Sequence, residues 1–232
     1  MAELELELRP SFVRHSGLIT QDKLRPMTII GCGAVGSNLA LLAAKIGWYE
    51  FILWDSDTVA SHNLPNQAYE PSHIGMNKVD ALEDVLLRFN PEIKITKYNR
   101  FITDSEEDEG LVKGAVIVCP DTMAARKIMY KHVSYNTNVE LVIDTRLSFD
   151  FAEIYSLDNL DANTLVKWKS TFRDDAEVEE SACSLKIIPT LVNHVASYAV
   201  YKLVDYYSKE TKNLTYDIRR FVMASDYFTM TN

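Results

Sequence analysis

The stretch "IIGCGAVGSNLA", residues 29–40, decides the reading of the whole chain. It joins an apolar run to three glycines, Gly31, Gly33 and Gly36, in the pattern G-x-G-x-x-G. "MTIIG" predicts a buried strand, and "AVGSNLALLAAKIG" predicts a helix stopped by Gly47. In such a strand–turn–helix the first glycine permits the tight turn. The second lets backbone come close to a phosphate, and the third lets the helix pack on the sheet. The helix beginning near Val35 offers unpaired N–H groups and its positive dipole end to an anion. Asp55 ends the next strand, "EFILWD", where a carboxylate can accept hydrogen bonds from ribose hydroxyls.

Outward from this unit the pattern repeats. "NKVDALEDVLLRFN" carries Val79, Leu82, Val85, Leu86 and Phe89 at helical spacing and stops at Asn90-Pro91. "EIKITKYN" alternates like a strand, the acidic "TDSEEDEG" reads as a solvated turn or short helix, and "AVIVC" as a buried strand. "TMAARKIMYKHV" is a helix and "VELVID" another strand. Strands alternating with helices predict an α/β fold of Rossmann type, a mostly parallel sheet with helices on both faces. After Asp144 the rhythm changes. "LSFDFAEIYSL" reads as a longer strand open to antiparallel pairing, residues 158–182 as a long polar crossing loop, and "IPTLVNHVASYAVYKLVDYYSKE" as an amphipathic helix starting near Pro189. "LTYDIRRFVMASD" adds a strand or two. Upstream, "ELELEL" reads as a solvated arm and "SFVRHSGLITQDKLRP" as a helix and turn. The expected organisation is one domain over residues 1–232: an arm and helix over 1–25, a nucleotide-binding core over 26–146, the crossing loop over 158–182, and a C-terminal helix and strands over 183–232.

Composition narrows the function classes. Apolar residues make up 47% and charged residues 25% of 232 residues, ordinary for a globular domain. The net charge of −9 argues against non-specific nucleic-acid binding, which needs clustered Lys and Arg. Met27–Trp48 is apolar, but its glycines, Ser37, Asn38 and Lys45 argue against a membrane span. Cys32, Cys119 and Cys183 are far apart, with no C-x-x-C pair, so neither a zinc site nor a disulfide framework is expected. Three thiols without a signal peptide predict a reducing cytoplasm.

A ribose and phosphates do not separate a nicotinamide dinucleotide from ATP, and the glycines with Asp55 alone permit an oxidoreductase. Nothing after residue 60 suggests a hydride site. The residues that follow instead resemble the ThiF/MoeB/HesA family of adenylyltransferases and the ubiquitin-activating enzymes built on the same fold. The family's "DxDTV...NL" stands here as Asp55-Ser56-Asp57-Thr58-Val59 and then Asn63-Leu64. Its "GxxK" helix start stands as "IGMNK", with Lys78, and its "R-N-P-x-I-x-I" passage as "RFNPEIKITKYN", residues 88–99. Its "xxDxTDNxxxR" resembles "VIVCPDTMAAR", giving Asp121 and Arg126, and "VRH" at residues 13–15 resembles the end of "RYxRH". The resemblance runs from about residue 12 to 206.

The resemblance implies MgATP as the substrate and a carboxylate that attacks its α-phosphorus, usually the C-terminal glycine of a small ubiquitin-like protein. A sulfur-carrier protein or a peptide C-terminus suits the same chemistry, and the family makes a homodimer the expected assembly. Gly31, Gly33, Gly36, Asp55, Asp57, Asn63, Gln67 and Lys78 are the expected nucleotide contacts. Lys78 supplies a point charge to phosphate oxygens, and Asp121, at the end of a strand, a hard oxygen ligand for Mg²⁺. Asp121 has a second reading as the cap of the helix that follows, and Lys78 as an exposed lysine in a first turn. The family's "NLxRQ" stands here as Asn63-Leu64-Pro65-Asn66-Gln67, so Asn66 replaces an arginine that steadies the terminal phosphates. Arg14, Arg126 and Arg146 are the candidates to replace that charge; the arginine matching Arg14 reaches the neighbouring subunit's site. Loss of the arginine also opens the reading of a catalytically silent, partner-holding relative. "ACSLKIIPT" resembles the "CTxxxxP" of ubiquitin-activating enzymes, which makes Cys183 a candidate acyl acceptor or else a small packing residue.

Overall fold

The computed structural model describes residues 10–147, 151–158, 161–173, 189–209, 217–223 and 228–231. These build an eight-stranded sheet in the order β3-β2-β1-β4-β5-β6-β7-β8. Strands β1 (Met27–Ile30), β2 (Glu50–Trp54), β3 (Lys94–Tyr98), β4 (Gly114–Val118) and β5 (Val139–Leu147) are parallel. Strands β6 (Phe151–Asp158), β7 (Asp217–Met223) and β8 (Phe228–Thr231) continue the sheet antiparallel. The order reverses between β1 and β4, so the crevice beyond their C-terminal ends is where an open α/β sheet receives a ligand.

Every residue of β1 and β4 is buried, because helices cover both faces. On one face Met27, Ile29, Phe51, Leu53, Ile117 and Ile143 pack under α1 (Ala34–Ile46), α2 (Lys78–Phe89) and α6 (Pro189–Ser208). The fully buried Ala40, Ala43 and Ala44 let α6 lie close against α1. On the other face Ile30, Ile52, Val116, Val118 and Val142 meet Met129 and Val133 of α4 (Met123–Val133) and Leu165 and Trp168 of α5 (Ala162–Lys169). Among the described residues, no helix is long and apolar enough to cross a membrane; the apolar Met27–Trp48 stretch is strand, glycine loop and helix.

Three expectations need correction. Residues 12–26 hold turns and a 3₁₀ helix, Gln21–Lys23, not an α-helix. The segment read as a crossing loop contains α5: Asp161 caps it by accepting from the Asn163 amide, and Leu165 and Trp168, three residues apart, bury one face. The acidic stretch is the short helix of its two readings, α3 (Glu106–Leu111), but it is not wholly solvated, since Asp108 is 1% exposed. The Asp108 carboxylate accepts from Arg100 Nη1 and Nη2 at 2.9 and 2.5 Å, from the Thr103 amide at 2.7 Å and from its hydroxyl at 2.6 Å. These bonds, Arg100 foremost, hold its pKa well below the usual carboxylate range. A depressed folded-state pKa stabilises above the unfolded value, about pH 4, and that stabilisation fades as the pH falls further. Asp108→Asn is therefore expected to cost about 1–2 kcal/mol at pH 7, limited by the solvent around Arg100, with the gap from wild type shrinking below pH 4 in thermal melts.

Candidate active site

The glycine loop shows why each glycine is there. Gly31 has φ +94, and a Cβ on it would stand 2.7 Å from the Cys119 carbonyl oxygen at the end of β4. Gly36 lies under the loop, where a Cβ would fall 2.0 Å from the Gly31 carbonyl oxygen. Gly33 is the opposite case: a Cβ there meets nothing within 4 Å. It is also the N-cap of α1 and supplies no side chain to cap it. The first turn of a 13-residue helix thus has no side-chain cap at Gly33, the kind of helix start that can receive an anion.

Asp55 closes one side of this space. Its Oδ2 accepts from the Cys32 amide at 2.7 Å and its Oδ1 from the Asp57 amide at 2.8 Å. Burial raises the Asp55 pKa, opposed next by the charge of Lys78. A carboxylate has about four acceptor positions, so each oxygen retains room for a hydroxyl. Lys78 opens α2 and is 7% exposed, which removes the reading of an exposed first-turn lysine. Its Nζ donates to Asp57 Oδ2 at 2.7 Å, and no other acceptor among the described residues meets it. The Tyr69 hydroxyl ties the parts together, lying 2.6 Å from the Cys32 carbonyl oxygen and 3.2 Å from that of Lys78. Burial keeps that phenol protonated by pushing its pKa far up.

The Asn63–Gln67 segment lies against α1. Asn38 of α1 donates to the Asn66 carbonyl oxygen at 2.9 Å, and the Ser37 hydroxyl accepts from the Ala68 amide at 3.0 Å. Asn63 spends its side-chain oxygen on the Ala60 amide at 2.8 Å. The side-chain amide oxygens of Asn66 and Gln67 are buried with no hydrogen-bond partner among the described residues. Buried polar atoms are normally paired, which sets these two neighbours apart. An amide offers either its oxygen or its NH₂ by a half-turn.

At the end of β4, Thr122 and not Asp121 caps α4: the Thr122 hydroxyl accepts from the Ala125 amide at 3.3 Å. Asp121 is exposed and its carboxylate has no partner among the described residues. Among those residues no three His, Cys, Asp or Glu side chains gather around a possible metal. Mg²⁺ needs no such cage, because it is commonly held through one or two carboxylates with substrate phosphates and water. Two of the replacement arginines are committed elsewhere. Arg126 and Arg146 both pair with the buried Asp144, at 3.0 and 2.7 Å, so neither replaces the charge missing at Asn66. Arg14 is exposed in the turn over residues 13–18. Cys183 lies outside the described residues. Cys32 and Cys119 have pKa values raised by burial, Cys119 to about 12, which suits packing and not acyl transfer.

Comparison with known proteins bears on the family and the fold. The sequence pattern described as "ThiF family" matches residues 7–230. The ubiquitin-like modifier-activating enzyme 5 of Caenorhabditis elegans is 30% identical over 129 residues, 49% of this chain and 31% of that protein. Its Xenopus laevis counterpart is 30% identical over 130 residues, 49% of this chain and 33% of that protein. Among solved structures, E. coli MccB with ATP superposes with a TM-score of 0.69 at 20% identity, covering 91% of this chain and 64% of that one. PaaA gives 0.65 at 20% identity, covering 90% and 63%. E. coli MccB has also been crystallised with AMPCPP and selenomethionine MccA. The chain spans about a third of the length of these curated relatives and just under two thirds of the solved chains.

Proposed function

Because this chain belongs to the ThiF family, we propose that it uses ATP to adenylylate the carboxyl terminus of a ubiquitin-like protein, a sulfur-carrier protein or a peptide, releasing pyrophosphate. One arrangement carries the reading: the first turn of α1 has no side-chain cap at Gly33, where a Cβ would meet nothing within 4 Å, and the Tyr69 hydroxyl links that loop to buried Lys78. The amides of the α1 N-terminus receive phosphate oxygens, and Asp55 accepts from ribose hydroxyls through its remaining lone pairs. Lys78 exchanges Asp57 for a phosphate oxygen. Asp121 would hold Mg²⁺, which supplies positive charge on the leaving pyrophosphate. Gln67 and Asn66 line the segment beside α1, where their amides can turn donors toward the nucleotide. We take residues 1–232 as a single adenylation domain, working as a cytoplasmic homodimer in which Arg14 serves the neighbouring site.

A second reading rests on the pairing of the cations described around the crevice. Asn66 is neutral, Lys78 is paired with Asp57, and Arg126 and Arg146 are paired with Asp144. A nucleotide-holding, catalytically silent partner protein matches that charge balance. Exchange of labelled pyrophosphate into ATP, dependent on a carboxylate partner ending in glycine, separates the two. The active reading expects exchange, and ATP binding by calorimetry without exchange from any such partner selects the silent one. In the same assay Cys183→Ala is expected to leave exchange unchanged and to abolish only a thioester with the acyl partner. A thioester that still forms in that variant would remove Cys183 from the acceptor role.

A further inference from the structure

Among the described residues, a second polar cluster lies beside the crevice. Asp144, in β5 and level with Val118 at the end of β4, is fully buried. Its carboxylate accepts from Arg126 Nε at 3.0 Å, Arg146 Nε at 2.8 Å and Trp168 Nε1 at 2.9 Å. Each arginine then reaches onward. Arg126 donates through Nη1 to the Thr122 carbonyl oxygen at 3.0 Å and through Nη2 to that of Thr145 at 2.9 Å. Arg146 donates through Nη1 to the Thr171 carbonyl oxygen at 3.1 Å and through Nη2 to its hydroxyl at 2.9 Å, with its guanidinium 4.2 Å from the centre of the Tyr155 ring.

One carboxylate therefore joins two places that the chain keeps far apart: the loop carrying Asp121, and residues 161–173 of the crossing segment. A buried charge cluster is rarely the most stabilising filling for a core. What it provides is geometry, since a guanidinium fork holds its partners at fixed distance and angle. We propose that Asp144 is a positioning residue that fixes the Asp121–Thr122 loop to the crossing segment, so that the seating of α5 sets where the Asp121 carboxylate stands. The link to catalysis rests on the reading of Asp121 given above; the mechanical link does not.

Asp144→Ala would strand two buried guanidinium groups and is expected to unfold the chain, so the informative variant is Trp168→Phe. It removes one donor to Asp144 and keeps an aromatic ring against Phe172, 5.1 Å away between centroids. Hydrogen exchange on the full chain is expected to rise about tenfold at the Ala125 and Arg126 amides, as a charged hydrogen bond is lost from the cluster, with residues 27–40 unchanged. A rise confined to residues 161–173 would overturn the proposal. In the pyrophosphate assay the same variant is expected to need about five- to tenfold more Mg²⁺ for half-maximal exchange, at a Tm within a few degrees of wild type. A lower Tm with an unaltered Mg²⁺ requirement counts against positioning. Absence of exchange in the wild type bears on the proposed reaction alone, and the hydrogen-exchange result still decides the mechanical link.

Discussion

Asp121→Ala is expected to lower pyrophosphate–ATP exchange at least about a hundredfold while moving the Tm by no more than a degree or two. The two halves of this expectation come from one arrangement. The carboxylate is exposed and unpaired among the described residues, so truncating it removes no packing. The helix behind it is capped by the next residue, Thr122. Were Asp121 the cap, its loss would cost about 1 kcal/mol of stability; that cost belongs to Thr122→Ala instead. Asp121→Asn should fail nearly as badly as alanine, because a neutral amide is a poor ligand for Mg²⁺. Unchanged exchange in the alanine variant would remove Asp121 from the reaction.

The second large effect contrasts two glycines three residues apart. Gly36→Ala places a methyl group 2.0 Å from the Gly31 carbonyl oxygen, where backbone faces backbone and neither can step aside. The helix must lift from the sheet, and the variant is expected to lose more than about 3 kcal/mol or fail to fold. Gly33→Ala meets nothing within 4 Å, and its φ of −80 lies outside the left-handed region. It is expected to melt within about two degrees of wild type while ATP affinity, read by calorimetry, falls tenfold or more, since the methyl group occupies the space over the open amides. Full-strength ATP binding by a folded Gly33→Ala protein would move the phosphate site away from this loop.

The parallel half of the fold was legible because its signals are local. Glycines in a turn, apolar runs of strand length and helical spacing such as Val79, Leu82 and Leu86 each lie within one element. The Asp55–Lys78 side of the site was legible only as a pattern in order along the chain; that the lysine would be buried and already paired was not. What escaped was either masked by polarity or non-local. Helix α5 hides its two anchors, Leu165 and Trp168, among charged residues, and only Asp161 in capping position with that spacing could have exposed it. The Asp144 cluster joins residues from four separate elements, and its local trace is Asp144 with Arg146 two residues on in the buried strand "VELVIDTRL". The unpaired amides of Asn66 and Gln67 depend on how that segment folds against α1, which no short-range pattern encodes.

On the proposed reading of Lys78 as a phosphate contact, its pair with Asp57 would bear on turnover as well as on recognition. An anion arriving at this ammonium displaces a carboxylate and not a shell of water, so the cost of drying the lysine is met before the encounter. When the anion departs, Asp57 can close behind it and no bare charge is left in the crevice. Departure and arrival are thereby made more nearly equal in free energy, a condition that favours repeated cycling over tight retention.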